Sequence, residues 1–291
     1  MNLQPVDLTP KLYAFNKIDL KDLVNQRIPP SPGGLLRISD LLKDINSSTK
    51  KTVEAISYEP ALVAKILRLA NSPIYAFEKE VLSVESALNA IGNQMVSDIV
   101  MLEFGARTVK GVSRQSEAEK KMWVHSMAVA VIARDIALSM GMRGLEEAFI
   151  CGLLHDFGKF LLLNHDPKGY LEIMTVKDED AMLNNERHKY GYSHSEVGAL
   201  VAERWELPDQ ICQSIFDHHK PTLSSKPSLI AHIIDAADLV ANNKGYGIRE
   251  EKTEKFEFSK SLEKLRLDEE AVEKLWETTE GKIAEVIKTF G

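Results

Sequence analysis

A chain of 291 residues with 44% hydrophobic and 27% charged side chains has the balance of a folded globular protein, which excludes low-complexity and fibrous classes. Its net charge of −7 argues against a general binder of nucleic-acid backbones, which needs a basic face, so nucleic acid is not an expected partner. Residues 1–7 lack a basic stretch leading into an apolar one, and no apolar run approaches the ~20 residues that span a bilayer. Cys151 and Cys212, both among apolar neighbours, point to a reducing compartment; the expectation is a cytoplasmic protein with no membrane partner.

Periodicity is helical nearly throughout, and the predicted fold is all-α. Ile28-Pro29-Pro30-Ser31-Pro32-Gly33-Gly34 is a rigid non-helical entry, because each proline removes a donor and restricts the residue before it. Leu35, Ile38, Leu41 and Leu42 then recur at three- and four-residue steps, as an amphipathic helix requires. Pro60 suits the first turn of a second helix bearing Leu62, Val63, Ile66, Leu67 and Ala70. Val84, Ala87, Leu88 and Ile91 follow, with a break at Gly92 before Met95, Val96, Ile99 and Val100. Residues 105–121 turn polar and read as a hinge or connecting helix between two lobes. A long helix from Trp123 to about Met140 places His125 beside an apolar stripe, facing inward.

Next comes a stretch that is apolar on every side, Cys151-Gly152-Leu153-Leu154-His155-Asp156-Phe157-Gly158-Lys159-Phe160-Leu161-Leu162-Leu163. It reads as a helix buried in the core. Two polar side chains there cost roughly 2–7 kcal/mol each unless an internal partner satisfies them, and a metal ion is such a partner. Ser193-His194-Ser195-Glu196 matches a capping box and sets His194 at a helix start. A helix from Asp209 ends at His218-His219, and residues 229–241 form a last core helix with Asp235 and Asp238 three apart. Residues 250–290 read as solvated amphipathic helices packed on the outside.

The candidate metal ligands are thus His125, His155, Asp156, His194, His218, His219 and Asp238. Imidazole and carboxylate donors suit one or two divalent ions, with iron, manganese, zinc and nickel all compatible. Each residue also has an ordinary use. A lone helical histidine is commonly a hydrogen-bonded core residue, His218-His219 can end a helix whose carbonyls favour cations, and Asp235 and Asp238 can form a solvated face. His165 and His188 read as surface, and His232 as support for Asp235. Lys159, one turn after His155, is either an ammonium aimed at a phosphate or a lysine at the edge of a buried helix.

These residues resemble a known family. Ile28-Pro29-Pro30-Ser31-Pro32, the run from Tyr58-Glu59-Pro60-Ala61-Leu62 to Ala70-Asn71-Ser72, and Leu82-Ser83-Val84-Glu85-Ser86-Ala87 are similar to the opening of an HDOD (HD-related output) domain. Gly152-Leu153-Leu154-His155-Asp156-Phe157-Gly158-Lys159 and His194-Ser195-Glu196-Val197 complete the likeness. It implies a two-lobed helical fold with a C-terminal HD-type lobe, in bacterial signalling and regulatory proteins generally regarded as non-catalytic. The expected division is an extension (1–27), an N-terminal lobe (28–115), an HD-like lobe (116–245) and C-terminal helices (246–291).

By similarity to two-metal HD phosphodiesterases, one ion would take His125, His155, Asp156 and Asp238. The other would take Asp156 as a bridge with His194, His218 and His219, and Lys159 would contact phosphate. Lys220-Pro221-Thr222 stands where cyclic di-GMP phosphodiesterases carry Gly-Tyr-Pro, which counts against that substrate. The expected function is regulatory, through a signalling protein partner and a nucleotide or other small phosphorylated ligand. The alternative is a metal-dependent phosphohydrolase with Asp156 and Lys159 as its catalytic residues.

Overall fold

Glu59-Pro60 sets the local pattern: proline at the first helical position lacks the amide that a helix start leaves unpaired, and its φ suits the turn. The protein, a computed structural model, is described over residues 33–44, 46–75, 77, 80–112, 116–142, 145–223, 228–248 and 259–291, and every regular element among them is helical. Residues 28–32 of the proline-rich entry, the extension 1–27 and the stretch 224–225 lie outside the described residues, whereas Gly33 and Gly34, expected in that non-helical entry, are already helical.

Helices α1 (Gly33–Lys43), α2 (Thr49–Ser57) and α3 (Pro60–Ala70) pack on a long α4 (Val84–Val112). Leu35, Ile38, Leu62, Ile66 and Leu69 are buried there, as their spacing requires, whereas Leu41 is half-buried. Gly92 kinks α4 with φ 79° and ψ 161°, a conformation that favours glycine. The polar stretch after Gly105 stays helical to Val112. Helix α5 (Glu117–Ser139) starts earlier than its apolar stripe, because Ser116 and Glu119 close a capping box.

Helices α6 (Leu145–Leu154), α7 (Phe157–His165), α8 (Pro167–Met174), α9 (Glu179–Tyr190), α10 (His194–Arg204), α11 (Asp209–Asp217) and α12 (Leu229–Ala241) follow. Helix α12 runs into a π-turn, Asn242–Tyr246, and α13 (Lys260–Leu265) and α14 (Glu269–Phe290) end the chain. Helix α5 lies at the centre, against α6, α12 and α14. Among the described residues it is the one helix long and apolar enough to cross a membrane, and 78% of its apolar window is buried inside the protein. Gly152 lets α6 approach it: a Cβ there would lie 2.8 Å from the Ala130 Cα.

Buried apolar side chains form one continuous cluster from Leu35 to Phe290. Trp205 stitches α4 to α7, with ring centroids 5.3 Å from both Phe104 and Phe157. The last helices are more than a solvated coat, because Leu262, Val272, Ile283 and Phe290 enter this core.

Candidate metal centre

His155 and Asp156 do not sit inside one helix, as their apolar surroundings suggest. They form a two-residue turn between α6 and α7, where Asp156 has φ −98° and ψ 7°. The turn is nonetheless buried, at 0% and 1% exposure. The break aims both side chains at the space that α5, α10, α11 and α12 enclose. His125 comes from the inner face of α5 and Asp238 from α12. His194 opens α10, where the Ser193–Glu196 capping box is formed. His218 and His219 follow the last turn of α11.

All seven candidate ligands meet. One donor set is His125, His155 and Asp238; another is Asp156, His194, His218 and His219, with the ligand atoms of each set within 4.8 Å of one another. Asp156 faces both. Its Oδ2 lies 3.4 Å from His155 Nε2, 3.8 Å from His125 Nε2 and 2.6 Å from Lys159 Nζ. Its Oδ1 lies 3.3 Å from His194 Nε2 and 3.9 Å from His218 Nε2. Asp238 Oδ1 lies 3.0 Å from His125 Nε2. One carboxylate therefore offers an oxygen to each of two imidazole groups.

The other ring nitrogens explain the orientations. Nδ1–H of His155 donates to the Gly152 carbonyl at 2.8 Å, that of His218 to Ile215 at 2.6 Å, and that of His125 to Tyr246 at 3.0 Å. His194 Nδ1 donates to Glu186 at 2.8 Å, and His219 Nδ1 pairs with Glu179. Nδ1 so occupied turns Nε2 inward, the usual arrangement of a metal-binding histidine and its supporting acceptor. His155 Nε2, His218 Nε2 and Asp156 Oδ1 are buried without a hydrogen-bond partner. Orphaned acceptors of this kind cost about 1–3 kcal/mol each, and a cation at either set would satisfy them. The residues fit a metal.

Electrostatics agree. Burial would raise Asp156, but the neighbouring His155 and Lys159 hold it well below the usual carboxylate range. Burial, reinforced by adjacent imidazoles, drives His218 and His219 well below the usual histidine value, so both are neutral and able to donate lone pairs at pH 7. Burial also opposes charge on His125 and His194, yet Asp238 and Glu186 respectively outweigh it and raise them. His194 Nε2 lies 2.7 Å from His219 Nε2. A proton on His194 then joins two nitrogens that would otherwise meet lone pair to lone pair.

Lys159 is buried and bonded to Asp156 rather than lying along the surface. His165 and His188 are exposed. Asp235 stays outside both donor sets. His232 does not support it directly: its Nδ1 meets Ser261 Oγ at 2.9 Å and its Nε2 meets Lys264 at 2.9 Å. Cys151 Sγ points to the Ile211 carbonyl, away from the centre.

Two residues escaped the sequence reading, Glu179 and Glu186. Glu186 is fully buried in an otherwise charged α9, where it accepts from Tyr170 at 2.7 Å and from His194. Burial would raise its pKa, but His194 and these hydrogen bonds bring it down to about 2. Its stabilisation is therefore complete above the unfolded value near 4.5 and is lost as pH falls towards 2. Glu186→Gln is expected to weaken cation binding at the His194 set about 10–100-fold, read by competition with a chelator, while the His125 set is unaffected.

The sequence profile of the HDOD domain matches residues 28–221. A protein from Shewanella amazonensis SB2B, described as a candidate phosphohydrolase, superposes with a TM-score of 0.73 at 26% identity, over 95% of this chain and 99% of that one. An HDOD domain protein of unknown function from Geobacter sulfurreducens superposes with a TM-score of 0.74 at 23% identity, over 92% and 96%. Ribonuclease Y of Geobacter sulfurreducens is 26% identical over 162 residues, which are 54% of this chain and 26% of that enzyme. The chain spans less than half the length of the curated relatives it matches. With the profile covering most of its length and the solved HDOD fold reproduced, the chain belongs to the HDOD domain family.

Proposed function

We propose that this chain is a regulatory HDOD protein whose HD lobe holds a divalent metal centre and takes up the phosphate group of a small ligand there. The observation that carries this reading is Asp156, buried between two imidazole sets with a separate oxygen directed at each. His125, His155, Asp156 and Asp238 would hold one ion, and Asp156, His194, His218 and His219 the other. Ions bound there supply charge neutralisation for a phosphate and acidify water.

The chain's own residues do the rest. The Lys159 ammonium steadies a phosphate oxygen while balancing Asp156. Asp238, with its side chain 18% exposed, marks the open edge by which a ligand enters. Glu179 and Asp180 face His219 and Lys220 across that edge. Output passes to a protein partner, as the N-terminal HDOD pattern suggests. Hydrolysis is the second reading. It is favoured by the pairing of Lys159 with Asp156 at 2.6 Å and by the likeness to the Shewanella protein.

Purified protein loaded with manganese, iron, zinc or nickel is tested for inorganic phosphate binding by calorimetry, and for turnover on a generic phosphodiester and a nucleotide panel. Phosphate binding that needs metal, without turnover, is the result expected. Turnover lost in both His155→Ala and Asp156→Ala would establish the second reading. Neither binding nor turnover with any metal would overturn both.

A further inference from the structure

His125 owes its orientation to a segment distant in sequence. The Tyr246 carbonyl that accepts its Nδ1–H closes the π-turn after α12, and Gly245, at φ 87° and ψ 13°, bends the backbone so that this carbonyl can face α5. The turn is in turn fastened from outside. Lys244 Nζ reaches both carboxylate oxygens of Glu273 at 2.6 and 2.7 Å and lies 5.4 Å from the Trp276 ring centroid. The Tyr246 ring is 6.0 Å from that of Trp276. Glu273 and Trp276 are three residues apart on α14, so one face of the C-terminal helix grips the turn.

The geometry points to Glu273 and Trp276 as positioning residues for the His125 set: docking of α14 on the π-turn fixes the Tyr246 carbonyl and, through it, His125. This rests on the metal reading given above. A cation bound to the His125 set and α14 docked on the turn then favour each other, and the effect is reciprocal. State of the centre is thereby passed to a surface helix, where a partner can sense it. The remainder of α14 is anchored independently. Lys282 and Thr279 bind Asp135 at 2.6 and 2.8 Å, and Trp123 Nε1 donates to the Phe290 carbonyl at 2.9 Å. Loosening the Glu273–Trp276 turn therefore leaves the helix attached.

The test uses the whole chain titrated with Co²⁺, read by bound metal and by the visible ligand-field spectrum, which reports each donor set. Wild type is expected to take up about two ions. Trp276→Ala and Glu273→Gln are expected to weaken the ion at the His125 set about 10–100-fold, leave the His194 set unchanged, and be rescued in Trp276→Phe. In wild type, Co²⁺ is expected to slow amide hydrogen exchange over residues 269–276. A wild-type cobalt titration in both variants, or unchanged exchange in α14 while α5 becomes protected, overturns the inference. Should Trp276→Ala fail to fold, Glu273→Gln and the wild-type exchange still decide. Absence of cobalt uptake by wild type overturns the metal reading itself, and this inference with it, before any variant is made.

Discussion

Asp156→Ala is expected to remove both cation positions at once, whereas Asp238→Ala removes only the one formed with His125 and His155. The asymmetry follows from the oxygens: Asp238 belongs to the His125 set, 3.0 Å from His125 Nε2, while Asp156 serves both sets. Elemental analysis should find about two ions in wild type, about one in Asp238→Ala and none in Asp156→Ala. The same substitution strips the buried Lys159 ammonium of its partner, and breaking a buried pair from one side costs about 3–5 kcal/mol. Chemical denaturation should show that loss, with Asp156→Asn as the control that keeps shape and removes charge. Uptake by wild type weakens on acidification, because His125 and His194, both raised by their carboxylate partners, must release protons to bind a cation. Two ions retained in Asp156→Ala would show that this carboxylate bridges nothing.

Much of this centre is readable from residue type and spacing. His194 stands at a helix start because Ser193 and Glu196 announce the cap, and α12 keeps the bounds that its apolar run predicts. Burial of His155 and Asp156 follows from their neighbours. The turn that they form between α6 and α7 does not, since no glycine or proline stands at the break and Leu154 and Phe157 suit a helix as well as its ends. Nor can the supporting shell be read. Three histidines are oriented by main-chain carbonyls of Gly152, Ile215 and Tyr246, and a carbonyl has no residue-type signature. Glu186 sits among charged residues that face solvent, so only packing against Tyr170 and His194 distinguishes it. Periodicity reports which face is buried; it is silent on what a buried polar atom touches.

Gly158→Ala separates two principles that predict opposite signs. Within a helix, alanine is favoured over glycine by about 1 kcal/mol, so propensity alone makes the variant more stable. Packing says otherwise. A Cβ on Gly158 would lie 2.0 Å from the His194 carbonyl oxygen, 2.8 Å from its carbon and 3.0 Å from the Gly198 nitrogen, all of them main-chain atoms. A side-chain end can swing aside, but these atoms belong to the main chain of the first two turns of α10 and move only if the helix moves. Overpacking of this kind costs roughly 1–3 kcal/mol, and relief of the clash carries His194 away from Asp156, now 3.3 Å distant. The expected result is a lower midpoint in urea and a selective loss of the ion at the His194 set. Gly198→Ala is the matched comparison: its Cβ would meet the Ile215 Cγ2 at 3.2 Å, a contact that a small side-chain shift relieves. If Gly158→Ala proved as stable as Gly198→Ala and kept both ions, the close approach of α7 to α10 would not be what holds His194 in place.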